Sequence, residues 1–291
     1  MASRQRIRAK ISKTDSARYM SHLDFMRTFE RALRRSSLPI TYTEGYNPHP
    51  KFSLATALPV GYSSVTEIGD FFLDRYVDPY EFARIMNEQL PPGVSILATS
   101  CISLNSPALA SLPQSSVYDA FLGAAARDED LQNRVEGFLA RESVQYVRRP
   151  KEMSGGELGE DEEENAGAMG ERGAPNLDSQ KTPPEAGGKE PGSRQNGVKG
   201  VKKDASAKNK KTIDLKKAVL SLKVTAPGAI TMWVIGCRPE EVLESLDLEH
   251  SVRRLATITK THFYVKPRDK WLDPMEFDTL PGFAGRAKWG M

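Results

Sequence analysis

The chain is predicted to be an α+β protein of two tandem ferredoxin-like βαββαβ units, with a long disordered insert in the second. Three observations carry that expectation. Residues alternate apolar and basic from Arg4 to Ser12, apolar residues recur at helical spacing in several short stretches, and residues 150–211 hold almost no large apolar side chain. The first pattern reads as a half-buried strand, the second as helices with one core-facing side, and the third as a segment unable to offset its chain entropy.

Each element has a local reason. In the opening strand Gln5, Ile7, Ala9 and Ile11 share one face, and Arg4, Arg6, Arg8 and Lys10 the other. A first helix follows, with Ser21 as its N-cap and Asp24 three residues on. Its spacing directs Leu23, Met26, Phe29 and Leu33 to the core and puts Asp24, Arg27, Arg31 and Arg34 opposite. Pro39 ends the helical region, and Ile40 to Thr43 reads as a short strand. After a loop at Gly45–Lys51 come a strand at Glu67–Leu73, a helix at Pro79–Leu90 and a strand at Val94–Ile102.

The second round runs through a strand at Val117–Leu122, a helix at Glu129–Ala140 and a strand at Val144–Arg148. Beyond the insert, Asp214–Thr225 and Ile230–Ile235 form a hairpin about Pro227-Gly228, Pro239–Leu246 a helix, and Leu255–Val265 the closing strand. The implied domains are residues 1–106 and 114–266, the latter interrupted at 150–211, with a tail at 267–291.

Composition narrows the function. Net charge is only +3, but from Met1 to Arg35 ten basic residues face three acidic ones, a local surplus of seven. Such a surplus attracts anionic partners; a plain solvated face is the blander reading. Two distant cysteines, Cys101 and Cys237, build no disulfide framework and supply too few ligands for an iron–sulfur cluster. They read as buried thiols in a reducing, cytoplasmic setting. No apolar run approaches the ~20 residues of a membrane helix, and the N-terminus lacks the apolar core of a signal peptide, so no membrane partner is expected. No glycine fingerprint for nucleotides is present.

The stretch from Arg18 to Tyr62 concentrates the chemistry. A cationic helix leads into a loop of Gly45, Tyr46, Asn47, Pro48, His49, Pro50 and Lys51, an order that core-building does not require. Four readings follow. His22 and His49 with Asp24 and Glu44 supply ligand types for a metal, but at a spacing that is a weak signal. His49, Lys51 and Tyr46, with Tyr19 near in sequence, form an acid–base set for cleaving RNA without metal; the fold analogy behind that reading does not fix function. In the third, favoured reading the surface is a non-catalytic RNA-binding one. It uses Arg18, Tyr19, His22, Arg27, Arg31, Arg34, Arg35, Tyr46, Asn47, His49 and Lys51, with arginines on phosphates and tyrosines stacking on unpaired bases. The fourth is a protein-docking face that touches no RNA. No metal and no cofactor is expected.

The runs S-H-L-D at 21–24, R-A-L-R-R at 31–35 and G-Y-N-P-H-P-K at 45–51 resemble the radical-SAM-linked protein family, a domain of unknown function. T-I-D-L-K-K-A-V at 212–219 and C-R-P-E-E-V-L-E-S-L at 237–246 are similar to its C-terminal half, and the likeness spans residues 4 to 265 apart from the insert. The resemblance implies a radical-SAM enzyme as partner and no established activity. Joined to the basic surface, it leads to the expectation of an accessory protein that binds tRNA or rRNA for such an enzyme.

Overall fold

A computed structural model describes residues 3–123, 126, 128–148 and 211–278. The chain divides into two compact units, residues 1–146 with 212–291, and residues 147–211. The second unit lies almost wholly outside the described residues, as does the insert expected at 150–211 apart from Lys211.

The first unit is a mixed α/β structure around a mostly antiparallel sheet. Its elements are β1 (Gln5–Lys13), α1 (His22–Arg35), β2 (Phe52–Leu54), β3 (Ser63–Leu73), α2 (Pro79–Asn87), β4 (Val94–Ile102), β5 (Gln114–Phe121) and α3 (Asp128–Ala140). There follow β6 (Gln145–Val147), β7 (Thr212–Asp214), α4 (Leu215–Ala218), β8 (Val219–Ala226), β9 (Ala229–Val234), α5 (Pro239–Ser245), α6 (His250–Leu255) and β10 (Thr257–Val265). Eight strands form one sheet in the order β4-β1-β3-β10-β5-β9-β8, with β2 on the free part of β3. The single parallel pairing joins β10 to β3 through Thr259 opposite Ser63 and Lys260 opposite Ser64. Strands β6 and β7 make a separate ribbon, so the strand expected at Val144–Arg148 does not enter the main sheet.

Caps decide where the helices start. The Ser21 hydroxyl accepts from the Asp24 amide at 3.1 Å, as the sequence predicts, and Asp78 caps α2 by accepting from the Tyr80 and Glu81 amides. The inward face of α1 differs from expectation: Phe25, Thr28, Phe29, Ala32 and Leu33 are buried, whereas Leu23 is half exposed. Ring packing sets this rotation, because Phe25 meets Phe29 edge-on at 5.3 Å and Phe29 meets Phe71 of β3 at 5.7 Å.

The strand predicted at Ile40–Thr43 is reduced to two isolated bridges, Ile40 to Leu73 and Tyr42 to Pro50. Pro50 has no N–H to extend a ladder, and the strand instead forms at Phe52–Leu54. Strand β1 is buried on both faces, not one. Ile7, Ala9 and Ile11 enter the core with α1 and α2, while Arg6 and Arg8, at 4% and 0% exposure, are equally enclosed on the other side.

Gly93, at φ +82, turns the chain into β4. A Cβ there would stand 2.6 Å from the Thr14 carbonyl oxygen, which belongs to backbone and cannot swing away. Gly93→Ala is therefore expected to destabilise the fold by roughly 1–3 kcal/mol, read as a lowered urea midpoint at unchanged slope.

Candidate nucleic-acid interface

The outer face of α1 carries Asp24, Arg27, Arg31, Arg34 and Arg35, all exposed. Arg27 lies 3.8 Å from Asp24, and Arg34 bonds Glu30 at 2.6 Å. Exposed pairs of this kind contribute only ~0–1 kcal/mol, so a phosphate can displace the carboxylates. Arg31 has no acidic partner among the described residues. Arg35 is committed elsewhere, its guanidinium donating to the Gln89 carbonyl at 2.6 Å beyond α2.

The loop after α1 is held rather than loose. Thr43 N–H donates to the His49 carbonyl at 2.8 Å, His49 N–H to the Thr43 hydroxyl at 3.0 Å, and Lys51 N–H to the Thr41 carbonyl at 2.7 Å. Gly45 adopts φ +132, a conformation L side chains rarely take, and so allows the loop to reverse. These bonds present Glu44, Gly45, Tyr46, Asn47, Pro48 and His49 to solvent, with Tyr46 99% exposed. The His49 ring docks the loop on the helix: Nδ1 lies 3.0 Å from the Glu30 carboxylate that also holds Arg34. Glu30 is thus the joint between loop and helix. Sequence reasoning missed it; only its i,i+4 spacing to Arg34 was visible.

Other members of the expected set stand apart. Arg18 folds over the Tyr19 ring at 4.7 Å and donates to its hydroxyl, forming one exposed cation–aromatic pair before α1. Lys51 sits 4.9 Å over the Phe72 ring, its charge near the outer edge of β3. His22 is at the first turn of α1, and burial holds it below the ordinary histidine range despite the opposing pull of Glu67. That burial disfavours the charged form, which weakens the case for His22 as a cationic contact. His22 also lies eight residues, about 12 Å along the helix, from the Glu30 that holds His49. Among the described residues no group of three metal-ligand side chains comes together.

The charge surplus read from the sequence is partly internal. Asp70 binds Arg8 through Nε at 2.7 Å and Nη2 at 3.0 Å, and Arg6 through Nη2 at 2.7 Å. Carbonyls of Ser106 and Pro107 accept further bonds from Arg6, and those of Pro274 and Phe277 from Arg8, while the buried Arg6 Nε has no partner among the described residues. Lys13, also buried, donates to the Met20 carbonyl at 2.8 Å, and burial lowers its pKa. Arg6, Arg8 and Lys13 therefore add little to the outer surface, where the exposed arginines of α1 stand. Both cysteines are buried and neither forms a disulfide, and burial pushes the Cys101 thiol up.

The fold and surface define an α+β protein presenting a cationic helix beside an ordered, aromatic-tipped loop. Residues 6–158, more than half of the chain, match a bacterial family described as an uncharacterized conserved protein, DUF2344, and the chain belongs to that family. No curated protein matches the chain. No helix among the described residues is long and apolar enough to cross a membrane.

Proposed function

We propose that the α1–loop surface binds RNA phosphates and that the protein acts, without catalysis of its own, as an accessory to a radical-SAM enzyme working on tRNA or rRNA in the cytoplasm. The observation that carries the RNA reading is the exposed Arg27–Arg31–Arg34 row beside the loop that His49 pins to Glu30. Guanidinium groups on a helix offer bidentate donors at phosphate spacing, and Tyr46 offers a ring to an unpaired base. The radical-SAM link rests on the motif resemblance. The strand orders β4-β1-β3-β2 and β10-β5-β9-β8 support reading the halves, near residues 1–106 and 114–266, as two ferredoxin-like units.

Changing Arg27, Arg31 and Arg34 together to Glu tests the surface. All three point away from the core, so the variant is expected to melt like wild type, to bind RNA at least tenfold more weakly, and to lose roughly 0.7 units of salt slope per phosphate contact removed. A variant that folds normally and binds as wild type would overturn the assignment.

The His49–Glu30 contact also favours a second reading, RNA cleavage with His49 as general base and Lys51 as the expected cation, because a carboxylate on Nδ1 leaves Nε2 for a proton transfer. Incubating the protein with small RNAs in chelator is expected to give no discrete products. Cleavage that disappears in His49→Ala would establish catalysis instead.

A further inference from the structure

The two halves of the sheet differ on the face their helices leave bare. In the first half that face holds Arg6, Arg8 and Asp70, and the segment Pro274–Phe277 closes over it. In the second half the helix-side row is buried through Ala120, Leu222, Ile230, Met232 and Ile258. The opposite row comprises Asp119, Phe121, Lys223, Thr231, Trp233, His262 and Tyr264, none of which is buried. Cross-strand register sets them side by side: Trp233 opposite Val117, His262 also opposite Val117, and Tyr264 opposite Ser115.

Three of these rings form a platform. Trp233 and Tyr264 lie 5.4 Å apart, and Tyr264 stacks on His262 at 6.0 Å with planes 5° apart. The indole is fixed by its N–H donating to the Ser115 hydroxyl at 2.9 Å. Phe121, 55% exposed on the same row of β5, lies four residues, about 13 Å, further along. A core has no use for rings displayed on a solvent face, and the register shift between Lys260 and His262 is what turns His262 and Tyr264 outward together.

We infer that this face is a stacking platform for unpaired bases of single-stranded RNA. Charge complementarity selects that occupant over an apolar one. Lys223 lies on the same face, and Lys266, Arg268 and Lys270 follow directly on β10, against Asp119 and Asp269. Aromatic rings for base faces combined with cations for backbone is the arrangement that single strands require. The inference rests on RNA being the ligand, but it uses a surface separate from α1, which grips phosphates. It assigns base-dependent affinity to the second half.

The full-length protein and two labelled 12-mers test it: oligouridylate, and an abasic ribose-phosphate strand of equal length, both at low salt. Wild type is expected to bind oligouridylate roughly tenfold or more tightly than the abasic strand, as expected for even one stacked base. The exposed double variant His262→Ala/Phe121→Ala, and separately Tyr264→Ala, should lose most of that preference while keeping their affinity for the abasic strand. His262 and Phe121 contribute little to the core, so the double variant remains informative if Tyr264→Ala fails to fold. Equal binding of the two strands by wild type would overturn the platform and leave the α1 surface standing. Undiminished preference in the folded double variant, or no wild-type binding to either strand, would overturn it too. A triple Arg-to-Glu variant that binds both strands like wild type, while the double variant loses its preference, would instead remove the α1 reading and leave the platform.

Discussion

Asp70→Ala is expected to destabilise the protein by about 3–5 kcal/mol, a large fraction of the roughly 5–15 kcal/mol that holds a typical domain folded. Asp70 is 3% exposed and, among the described residues, is the only acidic group bonded to two buried guanidinium groups, with Arg8 held in bidentate geometry. Its removal leaves two cations in the interior with carbonyl oxygens of residues 106, 107, 274 and 277 as their acceptors among the described residues. Water cannot readily replace the carboxylate, because Pro274 and Phe277 close the site. Asp70→Asn keeps the shape and one acceptor, so it should cost less but still several-fold more than an exposed Asp→Asn change. Urea unfolding followed by circular dichroism checks both. A loss below 1 kcal/mol for Asp70→Ala would mean that the two arginines reach solvent.

Lys260→Met is expected to cost about 3 kcal/mol or more, for a related reason at a different place. Lys260 and Glu67 are 2% exposed each and bonded at 3.0 Å, with the Ser64 hydroxyl also donating to Glu67 at 2.8 Å. They sit where β10 meets β3, a seam of only two register pairs. Few backbone bonds fix that junction, so the ion pair specifies its register. Glu67→Leu alone should be comparably harmful, whereas the double variant should cost clearly less than the sum, with a coupling of roughly 1–3 kcal/mol. Hydrogen exchange should show the single variants losing protection first along β10 and the start of β3. Strict additivity would show that the two side chains do not depend on each other.

These two sites also mark where the sequence stops being legible. Alternation from Arg4 to Ser12 identified β1 correctly, but period-two patterning cannot report that Asp70, sixty residues on, neutralises the basic face or that residues 274–277 cover it. Charged residues are read as solvated unless their partners are known, and these partners are non-local. The Ser21 cap and the exposure of Arg27, Arg31 and Arg34 were legible because they depend on contacts within one helix. The core register of α1 was not, since Phe25 outcompetes Leu23 only in the presence of Phe29 and Phe71. In the loop, the reversal at Gly45 and the display of Tyr46 follow local chemistry, but the His49–Glu30 joint is tertiary. The Trp233–Tyr264–His262 cluster was hidden more deeply still, because its three rings come from two strands and a register shift that no spacing rule reveals.

RNA binding itself is tested most directly by titrating the wild-type protein with labelled, unmodified tRNA across a range of salt concentrations. Phosphate contacts from Arg27, Arg31 and Arg34 predict measurable affinity at low salt and a log–log slope steeper than about −2, since each contact contributes roughly −0.7 to −0.9. No detectable binding at low salt, or binding indifferent to salt, would contradict a phosphate-gripping surface on α1.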